Sequence, residues 1–453
     1  MSSDIARSPA ALAEESATSV LLRLRELGHS AYFAGGCVRD LLLNIPPQDF
    51  DIATSAVPEQ VMGSFPETLA VGAQFGVVLV VVRTPESQPI HIEVATYRSD
   101  VGYSDGRHPD SVRFSNSPEE DVQRRDFTVN GLLYDPPRSQ VLDFVGGRAD
   151  LERKLIRAIG EPHLRFREDK LRMMRAVRFA ARLGYEIETN TLLAIRELAA
   201  DIHQVSRERI RDELDKMLTE GRARRCFELL DRTGLLPQVL PEVAAMKGVA
   251  QPPQFHPEGD VWVHTLLLLE GLEKGVPKSL AWGVLLHDVG KPPTFRVAPD
   301  RIRFDQHAEV GTKMVEAICR RLRFSNDVTE QVSALVANHM RFGDVKKMKE
   351  STLKRFMRLP RFDEHLELHR LDVSASHRDL SLHEFVKEKL ENTPEEEIRP
   401  APLITGSDLI EHGWKPGPQF KTILQAVEDA QLEGSLHTRE EAISFVETNF
   451  VKQ

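Results

Sequence analysis

The 453 residues predict an α+β fold, with an α/β head at the N-terminal side and all-α domains behind it. Three observations predict it. Every convincing strand pattern lies before residue 150, including "AYFA" and the β-branched runs "DFDIATS" and "FGVVLVVV". From Leu151 onward strand signals nearly vanish, and "FREDKLRMMRAVRFAARLGY" and "SRERIRDELDKMLT" carry strong helical periodicity. Two proline-bearing, aperiodic stretches, "PEVAAMKGVAQPPQFHPEGD" and "ENTPEEEIRPAP", read as linkers. The chain is too long for one core, and these breaks divide it into domains at 15–150, 151–245, 255–390 and 398–453.

Residues 11–28 read as a helix closed by Gly28. "AYFAGG" is a buried strand running into a glycine turn, and "VRDLLLN" is a short helix that Asn44 can end in the left-handed conformation. Two prolines fix an extended approach to "DFDIATS". "FGVVLVVV" reads as a central strand, paired with "PIHIEVATYR" in a hairpin. A second helical block runs from Val261 to about Leu390. In the tail, "KPGPQF" starts a helix that docks on the preceding domain.

Composition narrows the functional classes. Hydrophobic and charged shares of 41% and 28% describe an ordinary soluble protein. Three cysteines imply no disulfide framework and suit a reducing cytoplasm. The opening residues hold no apolar core of signal-peptide length, and no run reaches the roughly 18 apolar residues that span a membrane. A cytoplasmic protein with no membrane partner is therefore expected. The net charge of −10 does not announce a nucleic-acid partner, but local basic faces matter more than the sum.

The chemistry begins at "GGCVRDLLLNIPPQDFDIATSA". Residues two apart on a strand share a side, so Asp49 and Asp51 present two carboxylates to one spot. Hard oxygen donors so arranged suit magnesium, which completes its shell with substrate phosphates. The backbone around Gly35 and Gly36 can approach a triphosphate closely. Arg39 could neutralise that triphosphate or pair with Asp40. Glu93 supplies a third carboxylate from the neighbouring strand, sharing its face with His91 and Ala95 while Ile92 and Val94 point into the core. Two metals about 4 Å apart would then support in-line phosphoryl chemistry.

"GGCVRDLLL…DFDIATSA", "YSDGRHPDSVRF", "RRDFTVNGLLYD", "DFVGGRADLERKLIRAIGEP", "REDKLRMMRAVRFAARLGY" and "RERIRDEL" resemble the ordered motifs of the class II tRNA nucleotidyltransferases, the family of CCA-adding enzymes and bacterial poly(A) polymerases. The resemblance covers roughly residues 30–220. It implies a nucleotidyltransferase head with a polymerase-beta-like sheet, a helical neck, and template-free addition of nucleotides to an RNA 3′ end. Asn44 and Gln48 depart from the family pattern, which often has Gly and a basic residue there. Neither touches a proposed ligand.

Asp169 and Arg172 are three apart, which on a helix puts them on one side. Cytosine and adenine both offer an amino donor beside a ring-nitrogen acceptor, whereas guanine and uracil present the reverse. A carboxylate only accepts and a guanidinium only donates, so one Asp–Arg pair accepts C and A and rejects G and U. In the resembling family this motif is the amino-acid template, and Glu168 would orient Arg172. The same helix aligns Arg172, Arg175, Arg178 and Arg182 as either a phosphate-binding stripe or a solvated face, with Met173, Val177, Ala180 and Ala181 packing opposite. Arg124, Arg125, Asp126 and Asn130 match the motif that the family uses around sugar and triphosphate; Asn130 suits a ribose hydroxyl, and Asp126 is equally a capping or hinge residue. The resemblance further implies that the loop "GYSDGRHPD", with Asp105 and Arg107 as levers, helps the site accept ATP after CTP.

The second helical block holds His264, His287 and Asp288 in "LLHDVGK", His307, His339, and Asp372 in "HRLDVS". This order resembles the HD phosphohydrolase superfamily. An adjacent His–Asp pair can bridge two metals, or divide between one metal and an activated water. Mixed imidazole and carboxylate donors suit manganese, iron, cobalt or nickel better than magnesium. His256, His369 and His377 read as structural or surface residues. The expectation is thus a magnesium-dependent tRNA nucleotidyltransferase acting on the tRNA 3′ end with CTP and ATP, carrying a second divalent-metal site. Three alternatives stay open: an A-adding enzyme or poly(A) polymerase of the same family, an HD metallohydrolase with an RNA-binding head, and a non-catalytic RNA-binding protein.

Overall fold

Seven strands build the head: β1 Ala31–Ala34, β2 Asp51–Thr54, β3 Thr68–Gly72, β4 Val77–Val82, β5 Ile90–Thr96, β8 Leu132–Asp135 and β9 Gln140–Asp143, while β6 Arg98–Val101 and β7 Ser111–Phe114 pair separately. The computed structural model describes residues 9–83, 88–101, 111–254 and 256–451. The sheet order is β3-β4-β5-β2-β1-β8-β9. It is mixed: β2 and β5 run parallel and the other neighbours antiparallel. The hairpin of β4 and β5 forms as the alternation predicts, with Ile92 and Val94 buried. However, β4 is not central, because β3 alone separates it from the edge.

Register positions the chemistry. Asp51 opens β2 and lies opposite both Ala34, the last residue of β1, and Glu93 of β5. Immediately after β1, Gly35 takes φ 75 and the helix Gly36–Leu42 begins. A side chain at Gly35 would meet a strained backbone and sit 3.1 Å from the Arg125 guanidinium. Asn44 does take the left-handed conformation, at φ 55.

The long neck helix is broken. Pro162–Glu168 and Leu171–Leu183 are separate helices, and Asp169 between them is extended, at φ −141 and ψ 104. The cause is local: Asp169 Oδ1 accepts from the Leu171 amide at 3.1 Å, a side-chain bond that competes with helical backbone pairing. Met173, Val177, Ala180 and Ala181 of the second helix are fully buried, as the periodicity requires.

By contacts the chain divides into two compact units, Met1–Met217 with Arg225–Pro241, and Leu218–Arg224 with Glu242–Gln453. The second is mainly helical, including Val261–Glu270, Lys278–Leu286, His307–Arg321, Asn326–Asn338 and Phe362–Ala375. It also contains a hairpin, Phe295–Val297 paired with Ile302–Phe304, too short to register as a strand signal. The stretch read as a linker at 241–260 is not free chain: Gln251 is buried and Glu258 bonds two histidines. The tail helix Gln419–Leu432 docks on Glu350–Met357 through Arg355, which donates to Glu428 Oε2 at 2.6 Å.

Candidate functional site

The head and neck enclose a cavity of ≈ 680 Å³. Gly35, Gly36, Arg39, Asp49, Asp51, Arg125, Asp126, Asn130, Asp169, Arg172, Arg175 and Arg178 all line it. Residues up to 143 apart in sequence, Gly35 and Arg178, thus meet around one space. Asp105 and Arg107 lie outside the described residues.

Asp49 is not on the strand, since it occupies a bend and β2 starts at Asp51. The two carboxylates are brought together by that bend, not by strand alternation. Burial, reinforced by the charge of Glu93, pushes the Asp51 carboxyl up to about 6. Glu93 is also raised, by desolvation and by Asp49. Arg125 opposes both shifts but does not cancel them. Mutually repelling carboxylates, two of them lining an arginine-rich cavity and Glu93 beside it, fit a divalent cation of the hard, oxygen-preferring kind.

That strain has a measurable sign. The Asp51 carboxyl is pushed in the folded protein up to about 6 from its ordinary value of 3.8. The folded state therefore holds an extra proton in this window, and stability falls as pH rises through it. Without divalent ions, Asp51→Asn is expected to stabilise the head above pH 6 by up to about 3 kcal/mol, with the advantage vanishing near pH 4. Thermal melts in chelator across that range test this, and a variant less stable than wild type at pH 7.5 would contradict it.

The arginines are held in pairs. Arg39 donates to Asp40 Oδ1 at 2.8 Å and to Asn130 Oδ1 at 2.7 Å. Asn130 donates in turn to Asp126 Oδ1 at 3.2 Å, and Arg175 grips Asp126 Oδ2 through two nitrogens at 3.0 and 2.7 Å. Burial would raise Asp126, but Arg175 outweighs it and lowers the carboxyl. Asp126 is therefore the hub of a polar network. Asp121 holds Arg124 and Arg125 from behind, at 2.6 and 3.0 Å. The Arg178 side chain is 7% exposed and bonded to Glu213 Oε2 at 2.7 Å, so it is part of the wall and not a solvated face.

Because the helix breaks at Asp169, Asp169 and Arg172 do not share a helical face. Arg172 instead stands in the first turn of the helix that Asp169 precedes. Glu168 Oε2 accepts from Arg172 Nη1 at 2.7 Å, and Arg172 Nη2 donates to the Arg124 carbonyl at 3.0 Å. Asp169 Oδ2 accepts from Arg209 at 2.8 Å. Arg209 and Lys216 also line the cavity. Neither was singled out from sequence, where both sit in an ordinary charged helix.

In the second unit all six predicted residues converge. His287 Nδ1 donates to the Val284 carbonyl at 2.9 Å, His307 Nδ1 to Phe304 at 2.9 Å, and His339 Nδ1 to Val336 at 2.7 Å. A carbonyl only accepts, so each Nδ1 carries the hydrogen and each Nε2 presents a lone pair. The Nε2 atoms face one another, His264 to His287 at 3.4 Å and His307 to His339 at 3.3 Å. Asp288 lies between the pairs, with Oδ2 3.2 Å from His287 and Oδ1 3.6 Å from His307 and 3.8 Å from His339. Asp372 Oδ1 is 3.1 Å from His264 Nε2. Burial lowers His339 to about 4, whereas the Asp372 and Glu258 carboxylates override burial at His264 and push it up to about 9. Converging imidazole nitrogens around a central carboxylate fit a bound cation, which His264, His287, His307, His339, Asp288 and Asp372 would hold. Sequence reading missed Lys291, whose ammonium is 2.7 Å from Asp288 Oδ2; its place three residues after Asp288 in "HDVGK" was the available signal. An adjoining cavity of ≈ 440 Å³ is lined by Lys291, Arg301, Arg303 and Phe304, and also by His256, His369 and His377.

Residues 31–157 match the family described as "Poly A polymerase head domain". Residues 184–247 match "Probable RNA and SrmB- binding site of polymerase A", and 304–446 match "tRNA nucleotidyltransferase domain 2 putative". A Bacillus stearothermophilus CCA-adding enzyme, solved in complex with CTP, superposes with a TM-score of 0.72 at 28% identity, covering 98% of each chain. The chain shares the fold of a CCA-adding enzyme. A Thermotoga maritima CCA-adding enzyme complexed with tRNA has the same fold at a TM-score of 0.60 and 18% identity, over 98% of this chain and 96% of that one. The Limosilactobacillus fermentum CCA-adding enzyme is 46% identical over 204 residues, 45% of this chain and 50% of that relative. The Geobacillus stearothermophilus CCA-adding enzyme is 45% identical over 221 residues, 49% and 53% respectively. In these sequence matches the chain spans about half the length of the curated relatives. No helix among the described residues is long and apolar enough to cross a membrane.

Proposed function

We propose that the chain is a template-independent tRNA nucleotidyltransferase that builds or completes the 3′-CCA end from CTP and ATP, releasing pyrophosphate. One observation carries the reading: Asp49 and Asp51, the latter in register with Glu93, line the same cavity as Asp169 and Arg172. Both relatives above are CCA-adding enzymes, which supports it. Magnesium ions, held by Asp49 and Asp51 with Glu93 as ligand or support, would activate the attacking hydroxyl and neutralise the leaving pyrophosphate. The backbone at Gly35 and Gly36 leaves room for the triphosphate. Arg39, Arg125 and Arg175, already oriented by Asp40, Asp121 and Asp126, offset its charge, and Asn130 takes the sugar. Arg172, oriented by Glu168, and Asp169 read the base edge.

A second reading concerns the other unit. The four inward-facing Nε2 atoms and Asp288 support an HD-type site for manganese, iron, cobalt or nickel, with phosphohydrolase activity on a phosphate ester bound near Lys291. Head, neck, metal-binding and tail domains at 15–150, 151–245, 255–390 and 398–453 complete the proposal, in a cytoplasmic protein.

Three tRNA transcripts test the main reading: one lacking CCA, one lacking CA and one lacking only the terminal A, each supplied with CTP and ATP. All three are expected to reach full CCA. Growth on the last alone would make this an A-adding enzyme, and long A tails on unrelated RNA would make it a poly(A) polymerase.

A further inference from the structure

The four histidines of the second unit differ in what holds them from behind. His287, His307 and His339 rest on backbone carbonyls. His264 instead donates Nδ1–H to a carboxylate, Glu258 Oε1, at 2.7 Å. The Glu258 side chain is only 7% exposed, and the same oxygen accepts from His256 Nδ1 at 2.8 Å. A carboxylate behind an imidazole fixes its tautomer and raises the basicity of the opposite nitrogen. A neutral carbonyl orients the ring without supplying a full negative charge.

The candidate donors fall into three groups: a first of His264 with His287 and Asp372, a second of Asp288 with His307 and His339, and, behind the first, His264 with Glu258 and His256. Asp288 Oδ2 also turns toward the first group, 3.2 Å from His287 and 3.9 Å from His264, while the Lys291 ammonium offsets its charge from 2.7 Å. Glu258 stands behind the first group only. Asp372 and Glu258 therefore concentrate negative charge on one side of the shared carboxylate, while the other side has two imidazoles backed by carbonyls.

We infer that Glu258 makes the two cation positions unequal. It is a positioning residue that aims His264 Nε2 into the first position and makes that position bind a divalent transition-metal ion more tightly than the second. His256 holds Glu258 in place by sharing its oxygen. The inference rests on the metal-binding reading of this unit and deepens it by assigning an order of filling.

The test is a calorimetric titration of the full chain with manganese or cobalt, in an Asp49→Ala/Asp51→Ala background so that the ions counted belong to the second unit. Two stepwise binding events are expected. Glu258→Ala should weaken the first about 10- to 100-fold and leave the second unchanged, bringing the two affinities together. The cobalt ligand-field spectrum should change at the first equivalent, and Glu258→Asp should restore part of the loss. Glu258→Gln, which keeps an acceptor but removes the charge, should lose less, and it serves if the alanine variant does not fold. Unchanged affinities in both variants, or equal weakening of both steps, would overturn the inference while leaving the metal site standing. A background protein that binds no ion, or a His287→Ala variant that binds as many as the background, would overturn the metal reading and the inference with it.

Discussion

Asp51→Ala, and equally Asp49→Ala, is expected to cut nucleotide incorporation by about 10³-fold or more while leaving the circular dichroism spectrum intact. Metal stabilisation of developing charge is worth several kcal/mol, and each 1.36 kcal/mol is tenfold in rate. Asp51 opens β2, opposite Glu93 and beside the Gly35 turn, where its oxygens face the cavity. The fold should survive because the residue works against stability: its carboxyl is raised by burial and by Glu93. Loss of activity without loss of structure is thus the signature, read by radiolabelled CTP and ATP incorporation. Normal turnover in either variant would end the two-metal assignment.

Asp169→Ala and Arg172→Ala are expected to damage base selection more than triphosphate chemistry. A well-placed bidentate contact to a base edge is worth about 1–3 kcal/mol of discrimination, ten- to a hundredfold. Arg172 is oriented by Glu168 and by the Arg124 carbonyl, and Asp169 is held by Arg209 and the Leu171 amide. Incorporation of all four nucleotides, each measured as kcat/KM, separates the two effects. The ratio of C and A to G and U should collapse in the variants, while Arg39, Arg125 and Arg175, which we propose hold the triphosphate, keep binding affinity. Variants that retain full preference for C and A would sink the template reading.

Much of this chemistry was legible because it lies close in the chain. Asp49 and Asp51 are two residues apart, His287 and Asp288 adjacent, and the buried positions of β5 and of the helix Leu171–Leu183 follow the periods of their elements. Short-range pattern is what local backbone geometry enforces. Even so, local rules misled twice. Asp49 lies in a bend before the strand, and Asp169 interrupts a helix that periodicity alone would continue, because its own carboxylate captures the next available amide.

The pairings of the site belong to the tertiary structure. Arg209 meets Asp169 across 40 residues and Arg175 meets Asp126 across 49. Glu258 meets His264 from within a stretch whose prolines and lack of periodicity read as a linker. No spacing rule predicts such contacts, since any of the chain's 59 basic residues could neutralise any of its 69 acidic ones. Residue order along the chain was enough to name the ligand types and the element classes. Which charges face each other, and which carboxylate stands behind which histidine, was decided by the packing of distant elements, because Coulombic and hydrogen-bonding partners are selected by proximity in space.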